Sequence, residues 1–186
     1  MSAQNPHKEA AAPSAVSVRR AQLTDADGVV AIYNQGIRGR RATFETTERR
    51  REDIVPWLSA ESLEQYPMLV AETRAFDGGD PHQSRVDGWI RASAYRPRAC
   101  YAGIGDFSVY VESSAQGRGL GDALMTAFIP ACVQARLWKL VSRIFPENTA
   151  SLALCERHGF RVVGTYERHA QLDGVWRDVV IVERLL

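Results

Sequence analysis

The part of the sequence that most constrains the fold is residues 107–121, FSVYVESSAQGRGLG. It opens as an apolar strand ending in Val109-Tyr110-Val111, crosses a polar turn and reaches Gln116-Gly117-Arg118-Gly119-Leu120-Gly121. Leu120, Leu124, Ala127 and Phe128 then fall on one face of a helix. Glycine takes backbone conformations that other residues resist, so three glycines in alternation let the chain approach a neighbour closely.

Around this unit, strand and helix patterns are mixed. Residues 1–15 are rich in Ala, Ser and Pro, lack a sustained apolar period and read as a flexible leader. Val16 and Val18 open a strand, and Thr24 offers an N-cap with Asp25 and Asp27 in the first turn of a helix. Val29, Val30, Ile32, Tyr33 and Ile37 give that helix an apolar face. The basic residues 38–47 interrupt it, form a candidate pocket wall and precede a second helix over about residues 48–63. Strands read well over residues 68–73 and 86–94, joined by a turn-rich hairpin connection at residues 76–81. Further strands are expected over about 104–112, 140–144, 161–168 and 175–185, with a short helix over 149–157. This order suits a mixed α/β domain with antiparallel hairpins better than a regular doubly wound repeat. At 186 residues, a single domain over residues 16–186 is the default.

Composition removes several function classes. A formal net charge of +1 gives no global reason to expect a nucleic-acid or anionic-membrane partner. No apolar run approaches the roughly 18–20 residues that cross a bilayer, and no signal-peptide pattern opens the chain, so a cytoplasmic protein is expected. Cys100, Cys132 and Cys155 are odd in number and widely spaced, which suggests reduced thiols rather than a disulfide framework or a metal site.

The glycine turn carries the first chemical signal. Backbone N–H groups exposed there, together with the dipole of the following helix, favour phosphate oxygens, and Arg118 can add a charge-assisted contact. The turn is neither a P-loop nor a GxGxxG dinucleotide site. A second pattern follows about thirty residues downstream, from Asn148 through Ser151 and Cys155 to Gly159-Phe160. Taken alone, Asn148 reads as a helix cap and Gly159 as a helix stop.

Together, the Q-x-x-G-x-G turn after an apolar strand and the N-x-x-A-x-x-L-x-x-x-x-G-F segment resemble the signatures of the GCN5-related N-acetyltransferases (GNAT). The similarity narrows to the phosphinothricin and arsinothricin N-acetyltransferase branch. It rests on Ile32-Tyr33-Asn34-Gln35-Gly36-Ile37, Ala42-Thr43-Phe44-Glu45-Thr46, Gly88-Trp89, Phe107-Ser108-Val109-Tyr110-Val111 and Gly174-Val175-Trp176-Arg177-Asp178-Val179. The resemblance implies a GNAT fold with a mixed sheet of about six to seven strands flanked by about four helices, acetyl-CoA as co-substrate, and a homodimer. It implies cofactor contacts from Val109, Tyr110, Val111, Gln116, Gly117, Arg118, Gly119, Leu120, Gly121, Asn148 and Ser151.

Acetyl transfer to a primary amine needs the amine neutral, so a base must take its proton, while strand N–H groups near Val109–Val111 supply donors to the developing oxyanion. The branch places a Glu base where this chain has Asp106, one methylene shorter, which makes a water-mediated contact the expected one. At Cys155 the branch usually has His and the wider family often Tyr. Cys155 is therefore either a proton donor to the departing thiolate or a small buried hydrophobe, and His169 is a possible substitute. The branch's amino-acid substrates carry an anionic head, for which Arg91, Tyr95, Arg96 and Arg98 are candidates, chiefly Arg96 and Arg98. Phe44 either closes over the substrate or anchors its loop. Two other readings stay open: an acetyltransferase for a peptide N-terminus or a polyamine, and a catalytically weak coenzyme A sensor.

Overall fold

The computed structural model describes residues 16–73 and 85–186. The leader and the hairpin connection at residues 76–81 lie outside the described residues. Seven strands form one sheet: β1 (Val16–Arg20), β2 (Met68–Thr73), β3 (Gly88–Ala94), β4 (Ile104–Val111), β5 (Lys139–Ile144), β6 (Arg161–Leu172) and β7 (Val175–Leu185), in the order β1-β2-β3-β4-β5-β7-β6. All neighbours are antiparallel except β4 and β5. Five α-helices, α1 (Ala26–Gly39), α2 (Arg51–Ile54), α3 (Ala60–Gln65), α4 (Leu120–Gln134) and α5 (Thr149–Arg157), complete the described fold.

Two apolar clusters cover opposite faces of the sheet. Leu120, Leu124, Met125 and Phe128 of α4 pack with Ile90, Ala92, Phe107 and Leu140 on one face. Val29 and Ile32 of α1 pack with Ile54, Leu58, Val70 and Trp89 on the other. These are the apolar periodicities of the sequence, realised as one helix layer on each side.

Two expectations change. The start of α1 is held by the buried Asp25 rather than by Thr24: its carboxylate accepts from the Gln22 N–H at 2.7 Å and from two Arg19 guanidinium nitrogens at 2.8 Å each. The long second helix is broken into α2, a 3-10 turn over Val55–Leu58 and α3. Pro56 sits inside the 3-10 turn, where it has no N–H to donate, and extended Ser59 restarts the helix by accepting from the Ser62 N–H at 3.2 Å.

Gly36 sets how closely α1 approaches β4. A Cβ there would lie 2.6 Å from the Tyr110 ring, so only glycine lets the helix rest on this aromatic. Tyr33, one turn earlier, meets Trp89 at 5.6 Å and Tyr110 at 5.1 Å edge-to-face, and Trp89 stacks on Tyr110 at 4.8 Å. These rings fasten α1 to the middle of the sheet, beside the point where β4 and β5 part.

Candidate active site

β4 and β5 pair only at Ile104↔Lys139, Gly105↔Leu140 and Asp106↔Val141. Beyond that, β4 follows β3 as far as Gly88↔Val111, and β5 follows β7 as far as Ile144↔Val180. Just beyond the last pair, the buried Ser142 hydroxyl donates to the Phe107 carbonyl at 2.9 Å. From Ser108 onward the free edge of β4 faces a cleft, lined by Ser108, Tyr110, Ser142, Arg143, Phe145 and Cys155 and reaching Asn148 and Ser151 of the α5 start. Backbone donors and acceptors on that edge need partners from whatever fills the cleft.

At the far end of β4 the glycine turn leads into α4. Gly117 and Gly119 have φ of 75° and 81°, the left-handed region, and a Cβ at either would meet nothing within 4 Å among the described residues. They shape an open cradle. Gly119 is the N-cap of the 15-residue α4, and no side chain caps that end. Asp122 lies in its first turn, but its carboxylate is drawn aside by the Arg157 guanidinium at 3.0 and 3.1 Å and by His158 at 3.2 Å. Those donors, Arg157 first, hold Asp122 below the usual carboxylate range. The start of α4 thus keeps its free N–H groups and positive dipole end for an anion.

The three glycines divide their work. Gly121 is inside α4, where a Cβ would press on Leu154 of α5 at 3.3 Å, so it serves helix packing. Arg118 is exposed beside the cradle, and the Gln116 amide donates to the Val111 carbonyl at 3.4 Å, tying the turn to the strand. Leu120 is buried in the core. Asn148 caps α5, accepting from the Ser151 N–H at 3.2 Å.

Side chains alternate along β4, which gives the cleft two characters. Phe107, Val109 and Val111 face the α4 layer. Asp106, Ser108 and Tyr110 face the α1 layer opposite Ser93, Arg91 and Trp89 of β3. Asp106 is joined to the Arg143 guanidinium of β5 in an ion pair, with the carboxylate 19% and the guanidinium 45% exposed. Arg91 stacks over Trp57 at 4.2 Å, and its buried Nε has no hydrogen-bond partner. No ion pair reaches Arg91 among the described residues, and burial pushes its guanidinium down to about 10.

The remaining candidates fall in different places. Arg96, above the Tyr95 ring at 5.3 Å, and Arg98 are exposed on the β3–β4 connection and do not line the cleft; Asp106 and Arg91 lie beside its lining rather than in it. Tyr95 is half-buried against Tyr101. Phe44 meets Phe145 edge-to-face at 4.8 Å and so anchors the α1–α2 loop. The Tyr110 hydroxyl donates to the Ala42 carbonyl at 3.3 Å, and Arg40 pairs with Asp173 at 2.9 Å, so this loop spans the cleft from β4 to the β6–β7 turn. His169 is stacked on Tyr166 at 5.0 Å, 6.4 Å from Phe44.

Two middle strands that part beside an uncapped, glycine-cradled helix start form a slot for an elongated, anion-ended ligand. The sequence model of the Acetyltransferase (GNAT) family matches residues 41–160 of this chain. This chain belongs to the GNAT acetyltransferase family.

The chain is 31% identical over 172 residues to phosphinothricin N-acetyltransferase of Streptomyces coelicolor, covering 92% of this chain and 96% of that protein. It is 30% identical over 167 residues to the L-methionine sulfoximine/L-methionine sulfone acetyltransferase of Pseudomonas paraeruginosa, covering 90% and 92%. Its fold is similar to the acetyl-CoA complex of a phosphinothricin acetyltransferase from Sinorhizobium meliloti, with a TM-score of 0.81 and 26% identity over 92% of this chain and 88% of that one. As a GNAT acetyltransferase the protein takes acetyl-CoA as donor, and its own geometry fits that molecule. The cradle at Gly117 and Gly119 suits the pyrophosphate, and the free β4 edge suits the amide-bearing arm. Among the described residues no cluster of His, Cys, Asp or Glu is placed to hold a metal ion, and no helix is long and apolar enough to cross a membrane.

Cys155 lines the cleft but is 2% exposed, and burial pushes its thiol up to about 12. Such a thiol gives up its proton less readily than an ordinary one, which favours the buried-hydrophobe reading. A Cys155→Ala variant is expected to keep its turnover within about two-fold and to lose about 1 kcal/mol of stability from the small cavity. A fall in kcat beyond ten-fold at unchanged folding would identify the thiol as the proton donor.

Trp57 and Arg143 escaped the sequence reading. An arginine in the middle of a central strand, between Ser142 and Ile144, is a detectable anomaly. Its partner is not detectable, because the register of the parallel pair is set by tertiary packing. Trp57 reaches Arg91 only because the second helix breaks at Pro56.

Proposed function

We propose that this protein transfers acetyl from acetyl-CoA to the α-amino group of a small amino acid with a tetrahedral or anionic head, in the class of phosphinothricin, arsinothricin or methionine sulfone. The observation that carries this reading is the α1-side face of β4, where Asp106 pairs with Arg143 of β5 and Ser108 stands opposite Arg91 of β3 in the sheet register. An α-amino acid brings a carboxylate for a cation, an ammonium for a base and a head group for a second polar contact. Arg91, poorly solvated and without an ion pair among the described residues, suits the carboxylate. Polyamines have no anionic group to offer two arginines. The tethered α1–α2 loop narrows the route that a peptide chain would need.

Acetyl-CoA supplies the acetyl thioester, whose C–S bond is exchanged for a C–N bond to the amine. Asp106, directly or through a water, accepts the proton that the acceptor's ammonium must lose before its lone pair can attack. N–H groups along the free β4 edge, near Val109–Val111, donate to the thioester oxygen as charge develops there. The departing thiolate takes a proton from solvent in the open cleft. Val162, Val163 and Tyr166, exposed on the edge strand β6, support a homodimer, expected as a sedimenting mass near twice 20.7 kDa.

The experiment is release of coenzyme A thiol measured against phosphinothricin, arsinothricin, methionine sulfone, a polyamine and a peptide. Turnover is expected with the amino acids alone. Equal rates with polyamine or peptide overturn the acceptor assignment, and coenzyme A binding without turnover points to a sensor.

A further inference from the structure

Arg143 occupies an unusual position. It lies on β5, on the same sheet face as Val141 and Phe145, one step beyond the last β4–β5 pair, Asp106↔Val141. It therefore stands where the strands begin to part, on the opposite side of Ser108 from Arg91. Its guanidinium is 45% exposed and lines the cleft, and its ion-pair partner among the described residues is Asp106. The other charged side chains around this face leave both groups alone. Glu147 of the next loop is taken by Arg177 at 2.9 Å, and Glu45 of the α1–α2 loop by Arg49.

This pairing sets two roles against each other. A carboxylate already serving a guanidinium has fewer oxygen lone pairs for an ammonium, so the pair restrains Asp106 as a proton acceptor. The same guanidinium is, among the described residues, the cation that lines the cleft together with Ser108. We infer that Arg143 is a specificity latch: in the free enzyme it holds Asp106, and an anionic head on the acceptor draws it away, releasing the carboxylate beside the amine. No bond is made or broken in this exchange, since one ion pair replaces another and the proton moves afterwards from ammonium to Asp106. The acceptor class that opens the latch is an amino acid with a second anion, phosphinate-like or carboxylate-like. A neutral sulfone opens it poorly. The Arg143 side chain of this pair is 45% exposed, so its guanidinium can leave Asp106 for a charged ligand entering the cleft. The inference rests on the proposed amino-acid acceptor and on Asp106 as base.

The test uses the full chain saturated with coenzyme A and compares Arg143→Met and Arg143→Lys with the parent. Phosphinothricin and methionine sulfone serve as matched charged and neutral acceptors, followed by calorimetric binding and by steady-state kinetics. Arg143→Met is expected to weaken phosphinothricin binding ten-fold or more, to leave methionine sulfone affinity within two-fold, and to raise kcat for methionine sulfone. Arg143→Lys is expected to recover part of the phosphinothricin affinity. A loss that is equal for both acceptors, or none for phosphinothricin, overturns the latch, as does failure of the parent protein to bind phosphinothricin at all. Should the parent bind both acceptors but acetylate neither, the proposed activity fails while the affinity ratio still decides the role of Arg143 in recognition. An unchanged melting temperature guards against a folding defect.

Discussion

Replacing Asp106 by Ala is expected to lower kcat by about 10²–10⁴, the range that removal of a positioned general base produces, with coenzyme A affinity unchanged. The separation of the two effects follows from geometry. Asp106 points to the α1 face of β4 and is held by Arg143, whereas the glycine turn proposed for the donor phosphates lies beyond the other end of the strand at Gly117 and Gly119. Stability should fall little, because the ion pair that is lost is partly exposed and the orphaned guanidinium can turn to solvent. Asp106→Glu is the informative companion. The longer side chain extends the carboxylate by one methylene toward the amine, and turnover is expected to equal or exceed that of the parent. Single-turnover rates and calorimetric coenzyme A titrations separate chemistry from binding. An Asp106→Ala enzyme with the parent's kcat would remove the residue from proton transfer.

Gly119→Ala is expected to show the opposite signature, with acetyl-CoA affinity reduced by about 10–100-fold and kcat at saturating donor little changed. Gly119 has φ of 81°, and a residue with a Cβ resists this region by about 1–2 kcal/mol. Among the described residues nothing lies within 4 Å of the added methyl, so the described fold tolerates it. The local backbone can relieve its strain only by rotating peptide units, and each N–H turned away from a phosphate forfeits a charged hydrogen bond of about 1.5–3 kcal/mol. The methyl also projects into the open space of the cradle. The KM for acetyl-CoA and a thermal melt together check the expectation. A large loss of melting temperature at unchanged KM would show that Gly119 serves folding rather than the donor.

Most of the architecture was legible from residue patterns. The apolar faces of α1 and α4 and the alternation in β2, β3 and β4 give the same elements in sequence and in structure. The breaks were harder to read. Pro56 lies within an otherwise helical pattern, and only the cap by Ser59 shows that the chain restarts as a separate helix. Strand β6 continues past the expected end to Leu172 because register shifts between Val162 and Gly164, and between Tyr166 and Ala170, let it keep pairing with β7. Its residues are largely exposed, so no burial pattern marks the extension.

The site divides along the same line. Local sequence determined the end proposed for the donor, because a strand, a glycine turn with positive φ and an uncapped helix start are properties of consecutive residues, and positive φ is what glycine uniquely supplies at low cost. The end proposed for the acceptor belongs to tertiary structure alone. Arg91, Asp106 and Arg143 come from three strands, and they share one face only through the registers Arg91↔Ser108 and Asp106↔Val141. A one-residue slip in either register would send those side chains to the opposite face, and pairing between distant segments is decided by the packing of the whole sheet. Arg96 and Arg98 precede Asp106 by only a few residues in sequence and remain at the surface, while Arg143, distant in sequence, pairs with it.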